Sequence, residues 1–207
     1  MRPQVQKSHY YNGYDGKQRF CSYWTQIEWV MKLGSFPVLE VGVGSRLVND
    51  YLRRSGIPVT TLDVADDLSP DYVGSVHQMP FKDSSFETVM ACQVLEHLPF
   101  DQFLVTLSEI ARVTSRYAII SLPNSARAYP MQISLPKVGR KQWLFDFGDS
   151  FPRGNFKLPE EHYWEIGQRN YPVKRIISAM EQAGFTVLEN HRVFEFTRHH
   201  FFILNKG

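Results

Sequence analysis

The stretch Val38-Leu39-Glu40-Val41-Gly42-Val43-Gly44-Ser45 constrains this chain more than any other. Residues 36–41 read as a strand buried on both faces, and a glycine-containing turn follows. A helix over residues 45–54 comes next, with Ser45 as its cap and Gly56 just past its end. Residues 58–62 then form a second apolar strand that ends in Asp63. Strand, turn, helix and strand in so short a span make a βαβ unit, which requires a parallel sheet. Glycines at the first turn let the backbone approach a ligand with no Cβ in the way. A carboxylate about 20 residues further on, at the tip of the next strand, suits a ribose diol. The unit points to a nucleoside-containing ligand at the carboxyl edge of the sheet.

The rest of the chain extends this rhythm. Between Lys17 and Leu33 the apolar residues Phe20, Trp24, Ile27 and Met31 recur at helical spacing, which predicts a helix buried along that face and ended by Gly34 and Pro37. Residues 72–74 read as a short third strand, 86–91 as a fourth and 117–122 as a fifth. A helix over 100–113 is predicted to bury Phe103, Leu104, Leu107, Ile110 and Ala111. Pro172 opens a last helix that Gly184 ends, and residues 185–188 and 192–204 supply two antiparallel strands. The alternation predicts a doubly wound, mostly parallel α/β sheet in one domain spanning 1–207.

Residues 124–170 interrupt the pattern with Pro130, Pro136, Pro152 and Pro159 among Tyr129, Trp143, Phe145, Phe147, Phe151, Phe156, Tyr163 and Trp164. So aromatic a segment is expected to be an ordered, substrate-covering insertion over the sheet edge. It divides a 1–35 extension and helix plus a 36–123 ligand-binding half from the 171–207 closing elements. Residues 1–16 read as a loosely held polar lead.

Composition excludes several classes. Of 207 residues 43% are hydrophobic, enough for a sizeable core, and the formal net charge of +2 is too small for an electrostatic footprint on nucleic acid. The two cysteines, Cys21 and Cys92, lack disulfide or zinc spacing, so no metal is expected from them and a reduced, cytoplasmic setting is. With no basic-then-apolar lead and no run of 18 or more apolar residues in the sequence, neither a signal peptide nor a membrane span is expected, and no membrane partner.

The ordered set Glu40-Val41-Gly42-Val43-Gly44, Leu62-Asp63-Val64, Gly74-Ser75-Val76-His77-Gln78-Met79-Pro80-Phe81, Asp83-Ser84-Ser85-Phe86-Glu87 and Gln93-Val94-Leu95-Glu96-His97-Leu98 resembles the class I S-adenosylmethionine-dependent methyltransferases, particularly the small-molecule, type 11-like branch. Glu109-Ile110-Ala111-Arg112-Val113 and Ala183-Gly184-Phe185 extend the match. The resemblance implies a seven-stranded Rossmann-like sheet, S-adenosylmethionine as cofactor and a small-molecule acceptor. It implies that Gly42 and Gly44 pass beside the methionine portion of the cofactor, with Glu40 near its amino group. Asp63 would hold the ribose, Val64 the adenine face, and Ser75 and Val76 the adenine edge. Cys92 and Gln93 would lie near the sulfonium, with His97 at the same cleft.

Two residues depart from the family pattern. Arg46 stands where a third glycine is common, and Ser75 where an aspartate is usual. A nicotinamide-binding turn, by contrast, needs a glycine at Leu47, which counts against a dinucleotide.

For catalysis, His162 in Glu160-Glu161-His162-Tyr163-Trp164-Glu165 is the candidate base or acceptor ligand, set against a structural role in the insertion. His97 could serve instead, or cap the following helix. The pair His199-His200 resembles metal ligands, but neighbours on a strand point to opposite faces. Tyr163, Trp164 and Trp143 could stack on a sugar or planar acceptor, or form core. A catalytically inactive cofactor-binding protein is the alternative function. Amine methylation of nucleic-acid bases is disfavoured, since Ala91-Cys92-Gln93-Val94 stands where those enzymes carry Asn/Asp-Pro-Pro-Tyr/Phe.

Overall fold

The computed structural model describes Ser8, Tyr10 and residues 13–137, 139–148 and 158–207. Seven strands form one sheet. They are β1 (Val38–Val41), β2 (Val59–Asp63), β3 (Tyr72–Val73), β4 (Phe86–Cys92), β5 (Thr114–Pro123), and, closing the chain, β8 (Phe185–Arg192) and β9 (His199–Lys206). Their spatial order is β3-β2-β1-β4-β5-β9-β8. The first five are parallel, with Val38 opposite both Val59 and Thr88. Strand β9 enters antiparallel to β5 and to β8.

Helices α1 (Lys17–Leu33), α2 (Leu47–Arg54), α3 (Phe103–Val113) and α4 (Val173–Gln182) cover the sheet. Because successive strand residues face opposite ways, Val38 and Met90 join the core beneath α1 and α2, whereas Leu39, Val89 and Ala91 join the core beneath α3 and α4. Burial on both faces explains why β1 reads as an unbroken apolar run apart from Glu40. Among the described residues no helix is long and apolar enough to cross a membrane.

Several expectations from sequence are corrected. On α1 the stripe Phe20, Trp24, Met31 faces outward, and only Ile27 of the four is buried. The inward side carries Ser22, Thr25, Gln26, Trp29 and Val30 instead, because Arg19, Tyr23 and Gln26 turn toward a cleft at the sheet edge. Leu104 on α3 is exposed. Helix α2 begins at Leu47, not Ser45, whose hydroxyl donates to the Tyr23 hydroxyl.

The predicted insertion is two structures. An antiparallel hairpin, β6 (Ala128–Leu135) with β7 (Gly139–Asp146), forms a separate ladder, and its Tyr129, Trp143 and Phe145 are exposed. Arg192 anchors its base by an ion pair to Asp146 and by donation to the carbonyls of Asn124 and Ala126. Residues 158–170 fold into the body. Trp164 is core, fully buried between Phe100 and Phe103, and its indole N–H donates to the Leu98 carbonyl. That removes it as a stacking surface for an acceptor. Phe151, Pro152 and Phe156 lie outside the described residues.

Candidate functional site

The strand order reverses between β1 and β4, the position at which open α/β sheets bind ligands outside the carboxyl ends of their strands. A cleft of about 1220 Å3, counted to its solvent-open mouth, lies there. Its floor is the turn after β1. Gly42 and Gly44 have φ of 84° and 53°, and a Cβ on Gly42 would lie 2.4 Å from Val94 Cγ2. Glycine is thus needed at position 42 for its left-handed backbone and for the close approach of the segment after β4. Arg46 adopts φ of 67°, so the turn keeps its left-handed shape with arginine in place of the third glycine. Its guanidinium donates to the carbonyls of Leu68 and Ser69, tying the turn to the loop after β2.

Asp63 organises the other wall. Its two carboxylate oxygens accept the backbone N–H of Val43 at 2.7 Å and of Ala65 at 2.9 Å. Each oxygen keeps a lone pair for a further donor, so the carboxylate can still receive a pair of hydroxyls. Glu40, 5% exposed, accepts from Asn49 Nδ2 at 2.6 Å. Burial pushes its carboxyl up to about 8, against the smaller opposing pulls of Asn49, Arg53 and Arg46. A buried carboxyl of this kind is poised to ionise against an incoming cationic group.

Val64, Ala65, Leu68 and Val76 give the cleft an apolar side suited to a flat ring, and Cys92, Gln93, Val94 and His97 close its far end. Gln93 has φ of 57° and its amide donates to the Ser121 hydroxyl. Burial raises the pKa of the Cys92 thiol, which leaves it protonated and a packing group. The Ser75 hydroxyl accepts the His77 N–H within its own turn, while its neighbours Gly74 and Val76 line the cleft.

Sequence reasoning missed the roof. Tyr10, Tyr14, Arg19, Tyr23 and Gln26 line the cleft from the N-terminal side, with the Arg19 guanidinium 3.7 Å from the centre of the Tyr14 ring. The spacing Arg19, Tyr23, Gln26 on α1 was the available signal, masked by the stronger apolar period. His199 also lines the cleft, its Nδ1 2.7 Å from the Ser22 hydroxyl, while His200 pairs with Asn124 on the other face. Burial lowers both histidines to about 3, so both are neutral.

At the far end His97 stands beside His162, with ring centres 5.0 Å apart. His97 Nδ1 lies 2.9 Å from the Glu161 carbonyl, and His162 Nδ1 lies 3.0 Å from Glu165 Oε1. Glu165 is fully buried and accepts from Arg198 through both oxygens at 3.0 Å. Glu96 is fully buried next to them.

The cleft thus brings together a buried carboxyl at Glu40, the Asp63 carboxylate with lone pairs to spare, an apolar side at Val64 and Val76, and Cys92 with Gln93 at its far end. Residues 39–121 match the family model described as a methyltransferase domain. No curated protein sequence matches the chain. Solved structures share the fold. A methyltransferase from Aquifex aeolicus described as SAM-dependent is 16% identical, with a TM-score of 0.63 over 99% of this chain and 100% of that one. Magnesium protoporphyrin IX methyltransferase from Synechocystis with bound SAM is 13% identical, with a TM-score of 0.64 over the whole of both chains. The 1,6-didemethyltoxoflavin-N1-methyltransferase of Burkholderia thailandensis, solved with its acceptor and S-adenosylhomocysteine, is 14% identical, with a TM-score of 0.59 over 96% of this chain and 84% of that one.

Proposed function

We propose that this chain is a class I S-adenosylmethionine-dependent methyltransferase, a reading supported by the methyltransferase-domain match over residues 39–121, and that the methyl group goes to a small-molecule acceptor entering beside His97 and His162. The observation that carries this reading is the arrangement of Glu40, Asp63 and the Gly42–Gly44 turn around one cleft whose far end is polar and histidine-lined.

The bound sulfonium supplies an activated methyl group. The chain's own contribution is alignment, which can be worth roughly 7–11 kcal/mol when both reactants are held in line. Asp63 and Glu40 fix the donor from two ends. The Tyr10, Tyr14 and Arg19 roof excludes water from the side opposite the sheet. Removal of the acceptor's proton falls to the cluster of Glu96, His97 and His162. His162 is oriented for this by Glu165, itself neutralised by Arg198. The small net charge of +2 favours a small acceptor over a nucleic acid. The neighbours from Synechocystis and Burkholderia thailandensis, whose names give small ring molecules as acceptors, support the same size class.

The test is incubation of the purified chain with isotopically labelled S-adenosylmethionine and a metabolite extract, followed by identification of labelled products. A labelled small molecule, formed by the wild type and lost in Asp63→Ala, is the expected result. Label confined to nucleic acid or protein would overturn the acceptor class.

A further inference from the structure

The β6–β7 hairpin is amphipathic, yet its apolar face is open to solvent. The register sets Tyr129 opposite Phe145 and Met131 opposite Trp143, with Ile133 and Leu135 continuing toward the turn. Side chains alternate across a strand, so these six share one face. The opposite face is polar at its centre, where Gln142 Nε2 donates to Gln132 Oε1 at 3.0 Å. A hairpin so patterned ordinarily lays its apolar face on a core. Here all six side chains are between 41% and 57% exposed. A contiguous apolar face of this kind marks an interaction surface. None of the six lines the cleft, so the face is not a wall of the methyl-donor site.

Charge decides what such a face can meet. Between Arg127 and Phe145 the sequence carries the cations Arg127, Lys137, Arg140 and Lys141 and no Asp or Glu. Lys137, Arg140 and Lys141 cluster at the turn, all exposed, and Lys141 sits opposite Ile133 on the apolar face itself. Among the described residues the hairpin's one ion pair, Arg192 with Asp146, is at its base. Two copies of the chain meeting on this face would set these cations against one another. A single-stranded nucleic acid would use the aromatic rings but leave Met131, Ile133 and Leu135 idle. An anionic lipid surface engages both features. Acyl chains take the aliphatic side chains, Trp143 and Tyr129 suit the headgroup level, and the long cationic side chains reach lipid phosphates.

We propose that the β6–β7 hairpin seats its apolar face in the headgroup region of an anionic phospholipid bilayer, with Lys137, Arg140 and Lys141 on the phosphates. The seat is independent of the methyl-transfer reading. The eight residues of β6 make a ladder about 26 Å long, which lies along the surface and presents all six apolar side chains at one depth. Open strand edges do not enter hydrocarbon, so insertion stops where water still reaches the outer N–H and C=O groups. An amphipathic element held in this way lies in the interface and spans nothing. It therefore needs no long apolar helix, and the described residues contain none.

The experiment is co-sedimentation of the untagged full chain with vesicles of equimolar phosphatidylcholine and phosphatidylglycerol, against vesicles of phosphatidylcholine alone. Binding to the mixed vesicles is expected, weakened by salt and far stronger than binding to the neutral ones. Trp143 emission, taken by difference from Trp143→Phe, should shift to the blue on the mixed vesicles. Lys137→Gln, Arg140→Gln and Lys141→Gln together should weaken binding roughly 100-fold, about five-fold for each cation. Ile133→Ser with Leu135→Ser should weaken it at least about ten-fold. All five positions are exposed, so both variants should melt with the wild type. Wild-type protein that ignores mixed vesicles at low salt, or binds neutral vesicles equally well, overturns the proposal. An unshifted Trp143 emission, or full affinity in either variant, also overturns it, because the face or the cations would then be idle. A wild-type dimer that Ile133→Ser with Leu135→Ser dissociates, without vesicle binding, would overturn it in favour of a second copy.

Discussion

Arg46 occupies a backbone conformation that glycine adopts freely, at φ of 67°, and offsets that strain by binding the Leu68 and Ser69 carbonyls. The left-handed region costs a side-chain-bearing residue about 1–2 kcal/mol. Arg46→Gly relieves the strain and loses the two bonds, so its stability to denaturant should stay within about 1 kcal/mol of wild type. Arg46→Ala keeps the strain and loses the bonds, and should cost on the order of 1–2 kcal/mol. Equal losses in the two variants would remove the backbone account. Glu40 gives a pH signature. Its carboxyl titrates near 4.5 when unfolded and about 8 when folded, so the native state holds the proton more tightly. Its contribution is fully present below the unfolded value and is lost as pH rises through the window up to about 8. Arg53 and Arg46 reduce the effect and Asp50 adds to it. Without ligand, Glu40→Gln should flatten that fall and be the more stable protein at pH 8, by on the order of 1–3 kcal/mol, as read from melts across the pH range. Gly42, Gly44 and Asp63 were legible from their places at strand ends, and Glu40, Val64, Val76, Cys92, Gln93 and His97 through the family resemblance; all of them line the cleft. The packing of His162 beside Glu96 and His97 was not, because those two lie 65–66 residues from His162 and no local spacing announces the group.

At the scale of elements, the segment after β4 and the turn after β1 are packed to contact. Gly42→Ala should destabilise by roughly 2–4 kcal/mol, from overpacking against Val94 and from the left-handed backbone together. Adding Val94→Ala should recover the overpacking part alone, and a double-mutant cycle with no interaction energy would contradict the contact. Helix α1 shows where periodicity misleads. Phe20, Trp24 and Met31 mark the stronger apolar face, yet the helix turns Arg19, Tyr23 and Gln26 to the cleft and hydrogen-bonds Ser22 to His199. The helix buries Ile27, Trp29 and Val30 in the core while its Arg19, Tyr23 and Gln26 line the cleft. The insertion was misread for a related reason. Aromatic content does not distinguish Trp164, held in the core by its N–H bond to Leu98, from Trp143 on an exposed hairpin. Trp164→Phe, which removes that bond and part of the packing, should cost on the order of 1–3 kcal/mol in denaturant unfolding, whereas Trp143→Phe should be close to neutral.

For the whole molecule, the sheet order follows from the alternation of strands and helices and from the two late antiparallel strands. That order places the reversal between β1 and β4, and hence the cleft, beside the glycine turn and Asp63. The central claim is that this cleft binds the methyl donor and its product. Calorimetric titration of the full chain with S-adenosylhomocysteine tests it most directly. Saturable binding of one equivalent is predicted, with most of the affinity lost in Asp63→Ala. Folded wild-type protein that takes up no S-adenosylhomocysteine, or Asp63→Ala binding it as tightly as wild type, would contradict the account.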